Sequence, residues 1–264
     1  MKIAFLAPRF HTNQITMVKF LLENHYKVSF FVTRIGQSED HSSLKPLLIK
    51  LNIFTKLLRI FLKSNNTIFD YRYGLPSARE LFDFRSTNYD ILIIRDPLNL
   101  MSLSYLLWSK LIGVKTISYV QREIYKKKTS SIKEIIEEFF ITIFKTECIS
   151  PCLGNTNFKK YTKKITYLPF CQSIDHYKKK WFLNDKINLI TVGKFISRKN
   201  HLLLIKALSK ISDKDKFRLT IIGECSTKEH SDHIKEIKKA SIMSNLDITI
   251  LENVRHNNLK EYYK

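Results

Sequence analysis

Eight short apolar runs punctuate this chain, and their length and spacing leave few folds open to it. They are KIAFLA (2–7), KVSFFV (27–32), DILIIR (90–95), KTISYV (115–120), ITYLP (165–169), INLITVG (187–193), FRLTIIG (217–223) and DITILE (247–252). Most are rich in β-branched or aromatic residues and too short for a stable helix, which is the character of strands. Between them lie helical patterns near residues 13–24, 43–64, 98–112, 130–145, 200–212, 229–243 and 257–263. Apolar strands covered on both faces and joined by helices predict parallel sheets of the α/β class. The segment Asp175–Lys186 holds Lys178, Lys179 and Lys180; it follows the first group of strands and precedes a fresh series, so it reads as a linker. Two Rossmann-like units result, one over 1–175 and a second, incomplete one over 176–264 that shows three strands before the sequence ends.

The 264 residues, 44% of them hydrophobic, suffice for two cores of ordinary size, about 100 to 200 residues each. A formal net charge of +21 favours a polyanionic partner, whether nucleic acid, an anionic membrane face or a phosphorylated substrate. Cys148, Cys152, Cys171 and Cys225 have neither the density of a disulfide scaffold nor the paired spacing of a zinc site, and read as reduced, mostly packed thiols. The N-terminal MKIAFLAPRF reads as a first strand and lacks the small-residue cleavage site of a secretory signal. No run reaches the roughly 18 apolar residues that cross a bilayer, so the expected location is the cytoplasm. With six glycines the chain has no G-x-x-x-x-G-K-[ST] loop and no G-x-G-x-x-G, which removes the main support for ATPase or dehydrogenase chemistry.

The octet GKFISRKN, Gly193–Asn200, lies between an apolar strand pattern and the amphipathic HLLLIKALSKI. Ligands of parallel α/β sheets bind at the carboxyl ends of strands, near the helix N-termini that follow. There Gly193 permits close backbone approach, Lys194 and Lys199 bracket the turn, and the amides opening the next helix add partial positive charge. The spacing alone also fits a solvated basic loop with a capping Asn200.

A second basic feature is the segment SSLKPLLIKLNIFTKLLRIFLK, Ser42–Lys63. Projected as one helix it places Lys45, Lys56, Arg59 and Lys63 on one stripe and leucines and phenylalanines over much of the remainder. Two readings stay open: a core helix with a solvated face, or a helix that docks on an anionic membrane surface. The cluster Glu229, His230, Asp232 and His233 sits at a polar helix start and is not read as a metal site. Binding of single-stranded nucleic acid calls for aromatics interleaved with arginine; here the aromatics fall in core-facing runs, and no nucleic acid is expected.

Several stretches together carry a family resemblance. INLITVGKFISRKNHLLLIKALSKI, then FRLTIIGE, then LDITILENVRHNNLKEYYK resemble the start of the C-terminal domain of the retaining glycosyltransferases of family 4. ITYLPFCQSIDHY resembles that family's approach to its interdomain linker, and KIAFLAPRFHTNQITMVKFLLENHYKVSFFV its first β-α-β unit. The resemblance implies a GT-B fold of two Rossmann-like domains and a donor diphosphate gripped at G-R-x-x-x-x-K-G or K-N, here Gly193, Lys194 and Lys199. It implies nucleoside-side contacts at Glu224 and Val254. His11, Thr12, Asn13 and Gln14 stand where the family has a glycine pair, and Gln121, Arg122 and Glu123 where many members place a histidine. Asn13, Gln14, Gln121 and Arg122 are thus the residues expected to face donor or acceptor.

The implied activity is sugar transfer with retention from a nucleotide-diphosphate sugar to a lipid-linked or saccharide acceptor in surface-polysaccharide synthesis, without metal or other cofactor, at the inner face of the cell membrane. The family's E-x7-E pair does not follow Lys199: eight residues beyond Glu224, Glu229, Glu236 and Glu252 stand Asp232, Ile237, Ser244 and Lys260. No catalytic residue is therefore assigned, and the expectation is a truncated chain, inactive alone, with an apolar edge exposed along strands 187–223. The alternative from another class is a non-enzymatic basic α/β module that holds a membrane or nucleic acid.

Overall fold

The computed structural model describes residues 1–36, 39–62, 69–127, 132–160, 164–171, 182–183, 185–255 and 258–263. Two compact units divide the chain: Met1–Gly36 with His41–Ser173, and Ile174–Lys264 with Gln37–Asp40.

Unit 1 begins with β1 (Lys2–Ala7), α1 (Thr12–Glu23) and β2 (Lys27–Val32), the two strands pairing in parallel from Lys2↔Lys27 to Ala7↔Val32. There follow β3 (Leu47–Leu48), α2 (Ile53–Phe61), α3 (Phe69–Tyr73), α4 (Ala78–Ser86), β4 (Ile91–Arg95), α5 (Leu100–Leu111) and β5 (Lys115–Tyr119). The unit closes with β6 (Glu123–Tyr125), α6 (Ile132–Ile143), β7 (Glu147–Ser150), β8 (Cys152–Gly154) and β9 (Ile165–Tyr167). Seven strands form one sheet in the order β3-β2-β1-β4-β5-β7-β9, and every pairing in it is parallel. Alternation along β1 sorts its side chains to two faces. Ile3, Phe5 and Ala7 join Val18, Val28 and Phe30 in one core, with Phe5 stacked on Phe30 at 5.3 Å, while Ala4 and Leu6 join Phe31, Leu92, Ile94 and Tyr105 in the other.

The single helix expected over 42–63 does not form. Pro46 lies inside that stretch; a proline there removes a helical hydrogen bond, and its ring pushes the preceding Lys45 out of the α region. The chain instead adds β3 to the edge of β2, pairing Phe31↔Leu47 and Val32↔Leu48, and only then starts α2, where the Asn52 side chain accepts from the Thr55 amide at 2.8 Å.

Unit 2 comprises β10 (Phe182–Leu183), β11 (Lys186–Val192), α7 (His201–Leu208), β12 (Phe217–Gly223), α8 (Lys228–Ser244), β13 (Asp247–Glu252) and α9 (Leu259–Tyr262). Its sheet runs β10-β11-β12-β13; β10 is antiparallel to β11 and the other pairs are parallel. Of the edge expected along 187–223, β12 is interior to the sheet, between β11 and β13, while β10 pairs only with Lys186 and Ile187 at the start of β11. A core of Phe195, Ile205, Leu208, Leu219, Ile221, Ile234 and Ile237 joins α7 and α8 to one face. Among the described residues, no helix is long and apolar enough to cross a membrane.

Candidate functional site

The turn after β11 is built by backbone constraint and one buried ring. The Gly193 amide continues the ladder to the Ile222 carbonyl at 2.9 Å, and the Phe195 amide reaches the Glu224 carbonyl at 3.4 Å, so the turn runs alongside the end of β12. Phe195 is fully buried and lies against Gly223, where a Cβ would meet the Phe195 ring and the Gly193 carbonyl at 2.6 Å each. A short 3-10 turn, Ser197–Lys199, then brings the chain to Asn200 at φ 54°, ψ 31°. That is the left-handed region, which Asn tolerates better than most residues. Asn200 does not cap α7 with its side chain, as the sequence suggested; its contribution is this backbone conformation.

The geometry gathers the two lysines around Gly193. A Cβ on Gly193 would stand 2.9 Å from Lys199 Cε, so the lysine stem crosses the glycine backbone. Lys194 Nζ lies 3.5 Å from the Glu224 carboxylate, which is itself largely buried. Glu224 also accepts from Ser226 Oγ at 2.9 Å. Beneath the turn, His201 Nε2 lies 3.4 Å from the Lys194 carbonyl, and His230 Nδ1 accepts from the Ser226 amide at 3.2 Å. Burial holds both imidazoles below their ordinary value of 6.5; the Lys194 charge adds to this at His230. His201 and His230 are therefore mostly uncharged at neutral pH, and the positive charge of the turn is that of Lys194, Arg198 and Lys199.

Asn253, with φ 55°, closes the far side: its Oδ1 accepts from the Cys225 amide at 2.8 Å and its Nδ2 donates to the Cys225 carbonyl at 3.2 Å. Val254 follows directly, so Glu224 and Val254 stand on neighbouring segments joined through Asn253. Phe195, His201, Ser226, His230 and Asn253 were not singled out for the site from sequence; only the repeated Asn at strand and helix ends hinted at left-handed turns. The four-residue cluster at 229–233 does not form a metal site: His230 is turned to Ser226, and among the described residues no group of His, Cys, Asp and Glu is placed to hold a metal ion.

In unit 1 the sequence candidates gather at the carboxyl ends of strands. Gln14 is buried and works as a cap, its Oε1 accepting from the His11 amide at 3.3 Å. Asn13 sits beside it in the first turn of α1, with its Oδ1 buried and without a hydrogen-bond partner among the described residues. Gln121 is exposed and accepts from Arg95 Nη2 at 3.1 Å, beside Asp96, which takes φ 51° at the end of β4. Arg122 forms an ion pair with the buried Glu137 of α6. Of the basic stripe, Lys45 lies in the loop before β3, Lys56 is exposed on α2, Arg59 pairs with Asp70 at 3.3 Å, and Lys63 lies outside the described residues.

In parallel α/β sheets, the carboxyl ends of strands and the helix N-termini that follow are where phosphorylated ligands commonly bind. Residues 173–264 match the family of glycosyl transferases group 1. A glycosyltransferase from Rickettsia africae ESF-5 is similar in structure, with a TM-score of 0.59 at 15% identity over 96% of this chain and 68% of that one. Anabaena Alr3699/HepE, solved with UDP and glucose and with UDP-glucose, gives a TM-score of 0.60 at 12% identity over 96% of this chain and 69% of its own. TarM gives 0.58 at 10% identity over 98% of this chain and 78% of its own. At such identities these likenesses are of fold, and the fold is that of the GT-B glycosyltransferases. No curated protein matches the chain. The family match over residues 173–264 and the fold together support a glycosyltransferase.

Proposed function

We propose that this chain is a glycosyltransferase which binds the diphosphate of a nucleotide sugar at Gly193, Lys194 and Lys199. The observation that carries the reading is the convergence of Lys199 on Gly193 at the end of β11, with Lys194 on the same turn. In the reaction the bond from the anomeric carbon to the diphosphate breaks, the acceptor hydroxyl oxygen forms the new bond as its proton passes to the departing phosphate oxygen or to solvent, and the nucleoside diphosphate leaves with the bonding electron pair. Cations fixed beside the leaving oxygens stabilise that charge more in the transition state than in the bound donor. Lys194 and Lys199 have this role, with Glu224 fixing Lys194 until the phosphate shares it. Glu224 and Val254 border the nucleoside; Asn13 and Gln121 stand at the strand ends of unit 1, where the acceptor is bound.

The finer reading takes transfer as retaining, the acceptor as a lipid-linked or plain saccharide of surface-polysaccharide synthesis, and the location as cytoplasmic, peripheral at the inner face of the membrane. It rests on the resemblance of the 187–263 sequence to family 4. No metal ion or other cofactor is invoked.

The test is titration calorimetry with UDP and UDP-glucose. Losing one charge-assisted contact costs roughly 1.5 to 3 kcal/mol, so Lys199→Ala is expected to weaken binding by about tenfold or more. Equal affinity of the variant and the parent chain would remove the diphosphate assignment.

A further inference from the structure

Helix α2 is amphipathic in the sense opposite to that of a core helix. Its sequence, IFTKLLRIF, turns the polar Thr55 inward, where Oγ1 accepts from the Leu75 amide at 2.9 Å. The apolar side chains point away: Ile53, Phe54, Leu57, Ile60 and Phe61 are 76%, 62%, 59%, 73% and 82% exposed. At about 100° per residue these five positions fall within an arc of roughly 120°. Isolated exposed apolar residues are ordinary, but a contiguous stripe of large ones on a helix face marks an interaction surface.

Charge selects the occupant. From His41 to Phe69 the chain carries Lys45, Lys50, Lys56, Arg59 and Lys63 and no carboxylate. Lys50 and Lys56 are exposed next to the apolar arc, and Arg59, whose charge is met by Asp70, ties the helix to α3. An apolar face rimmed by lysine without acid fits the boundary between acyl chains and anionic headgroups. A second apolar stripe, on α6, gives the contrast: Ile132, Ile135, Ile136, Phe139 and Ile143 are exposed there, and Glu134 and Glu138 stand along one side of it. Carboxylates along that rim oppose an anionic surface, and the rim of α2 has none.

We infer that the outward face of α2, formed by Ile53, Phe54, Leu57, Ile60 and Phe61, inserts into the headgroup region of an anionic bilayer. The fold fixes where this happens. Arg59 pairs with Asp70 of α3, and the neighbouring Tyr71 donates its buried hydroxyl to the Arg95 carbonyl at 2.6 Å, with the Leu6 carbonyl 3.3 Å away. Leu6 and Arg95 stand at the carboxyl ends of β1 and β4, so the docking face is anchored beside the end of the sheet where ligands of this fold bind. A saccharide on a lipid carrier is the acceptor class that such docking serves; that last step rests on the transferase reading, whereas the docking does not.

The experiment is co-sedimentation of the whole chain with phosphatidylcholine vesicles with and without phosphatidylglycerol, donor and acceptor being absent, so its outcome is independent of transfer. The expected result is binding to the anionic vesicles, weakened about tenfold or more by the double variant Phe54→Ser with Phe61→Ser and weakened also by Lys50→Gln with Lys56→Gln. The pair Ile135→Ser with Phe139→Ser on α6 is expected to leave binding unchanged. As a readout that keeps the face apolar, Phe61→Trp is expected to shift its emission to the blue on anionic vesicles only. The inference is overturned if the parent chain does not sediment with anionic vesicles, if the α2 variants bind as the parent does, or if light scattering shows a dimer that the α2 variants dissociate without any vesicle binding.

Discussion

At the scale of single residues, two buried histidines under the turn after β11 make unit 2 sensitive to pH. His201 is 1% exposed and His230 5%, and both are held below the ordinary 6.5 because burial disfavours their charged form. A base whose folded value lies below its unfolded value leaves stability unchanged above the unfolded value; stability falls as pH drops through that value towards the folded one. Unit 2 is therefore expected to lose thermal stability on acidification from about pH 7 to pH 5. Protonation of His230 also removes the acceptor that holds the Ser226 amide. His230→Asn, which keeps an acceptor and cannot titrate, is expected to flatten this dependence, as measured by the thermal midpoint against pH. A slope as steep in the variant as in the parent chain would assign it elsewhere. Asp247 acts in a separate window: hydrogen bonds from Lys186 and Arg218 hold it below 3.8, so its contribution is lost only at more acid pH.

At the scale of elements, the junction between β11 and β12 decides whether the turn keeps its shape. Gly223→Ala drives a Cβ to 2.6 Å from both the Gly193 carbonyl and the Phe195 ring, and neither can yield without moving the turn. Overpacking of this kind typically costs about 1 to 3 kcal/mol; urea unfolding is expected to show that loss, with weaker UDP binding alongside it. Gly193→Ala meets only the flexible stem of Lys199, so it is expected to change stability little while still lowering UDP affinity. The two outcomes in reverse would mean that Lys199, not Phe195, shapes the turn. These elements were largely legible, because β1, β2, β12 and β13 are apolar runs whose bounds coincide with the observed strands. What escaped has physical reasons. Strand β7, ECIS, is four residues long with a glutamate and a cysteine, and Cys148 at its centre is buried, its thiol pushed up to about 11. Helix α4 was missed although Ser77 and Glu80 supply a capping signal, the Ser77 Oγ accepting from the Glu80 amide at 3.3 Å. In 42–63 the apolar periodicity was read over Pro46, which local backbone sterics overrule. In the site, the placing of Lys199 near Gly193 follows from spacing, whereas Lys194–Glu224 and Asn253–Cys225 join separate strand ends and leave no local pattern.

At the scale of the whole molecule, two units each have their own sheet and core, and the candidate ligand belongs to one of them. Unit 1 gathers its cores around seven parallel strands and unit 2 gathers its core on four. Separate cores imply separate cooperative transitions in calorimetry. A ligand that binds only the native form of one unit raises that unit's stability by RT ln(1 + [L]/Kd), about 2.7 kcal/mol at a hundredfold excess over Kd. UDP is therefore expected to raise one of two transitions and leave the other in place, and Lys199→Ala is expected to cancel that rise. The same transition is the one expected to fall between about pH 7 and pH 5, because His201 and His230 lie in the unit that holds the proposed diphosphate turn. Ligand and proton then act on one core from opposite sides. If UDP raised one transition while acidification lowered the other, the diphosphate turn and the buried histidines would not share a folding unit, and the site as assembled around β11, β12 and α8 would be wrong.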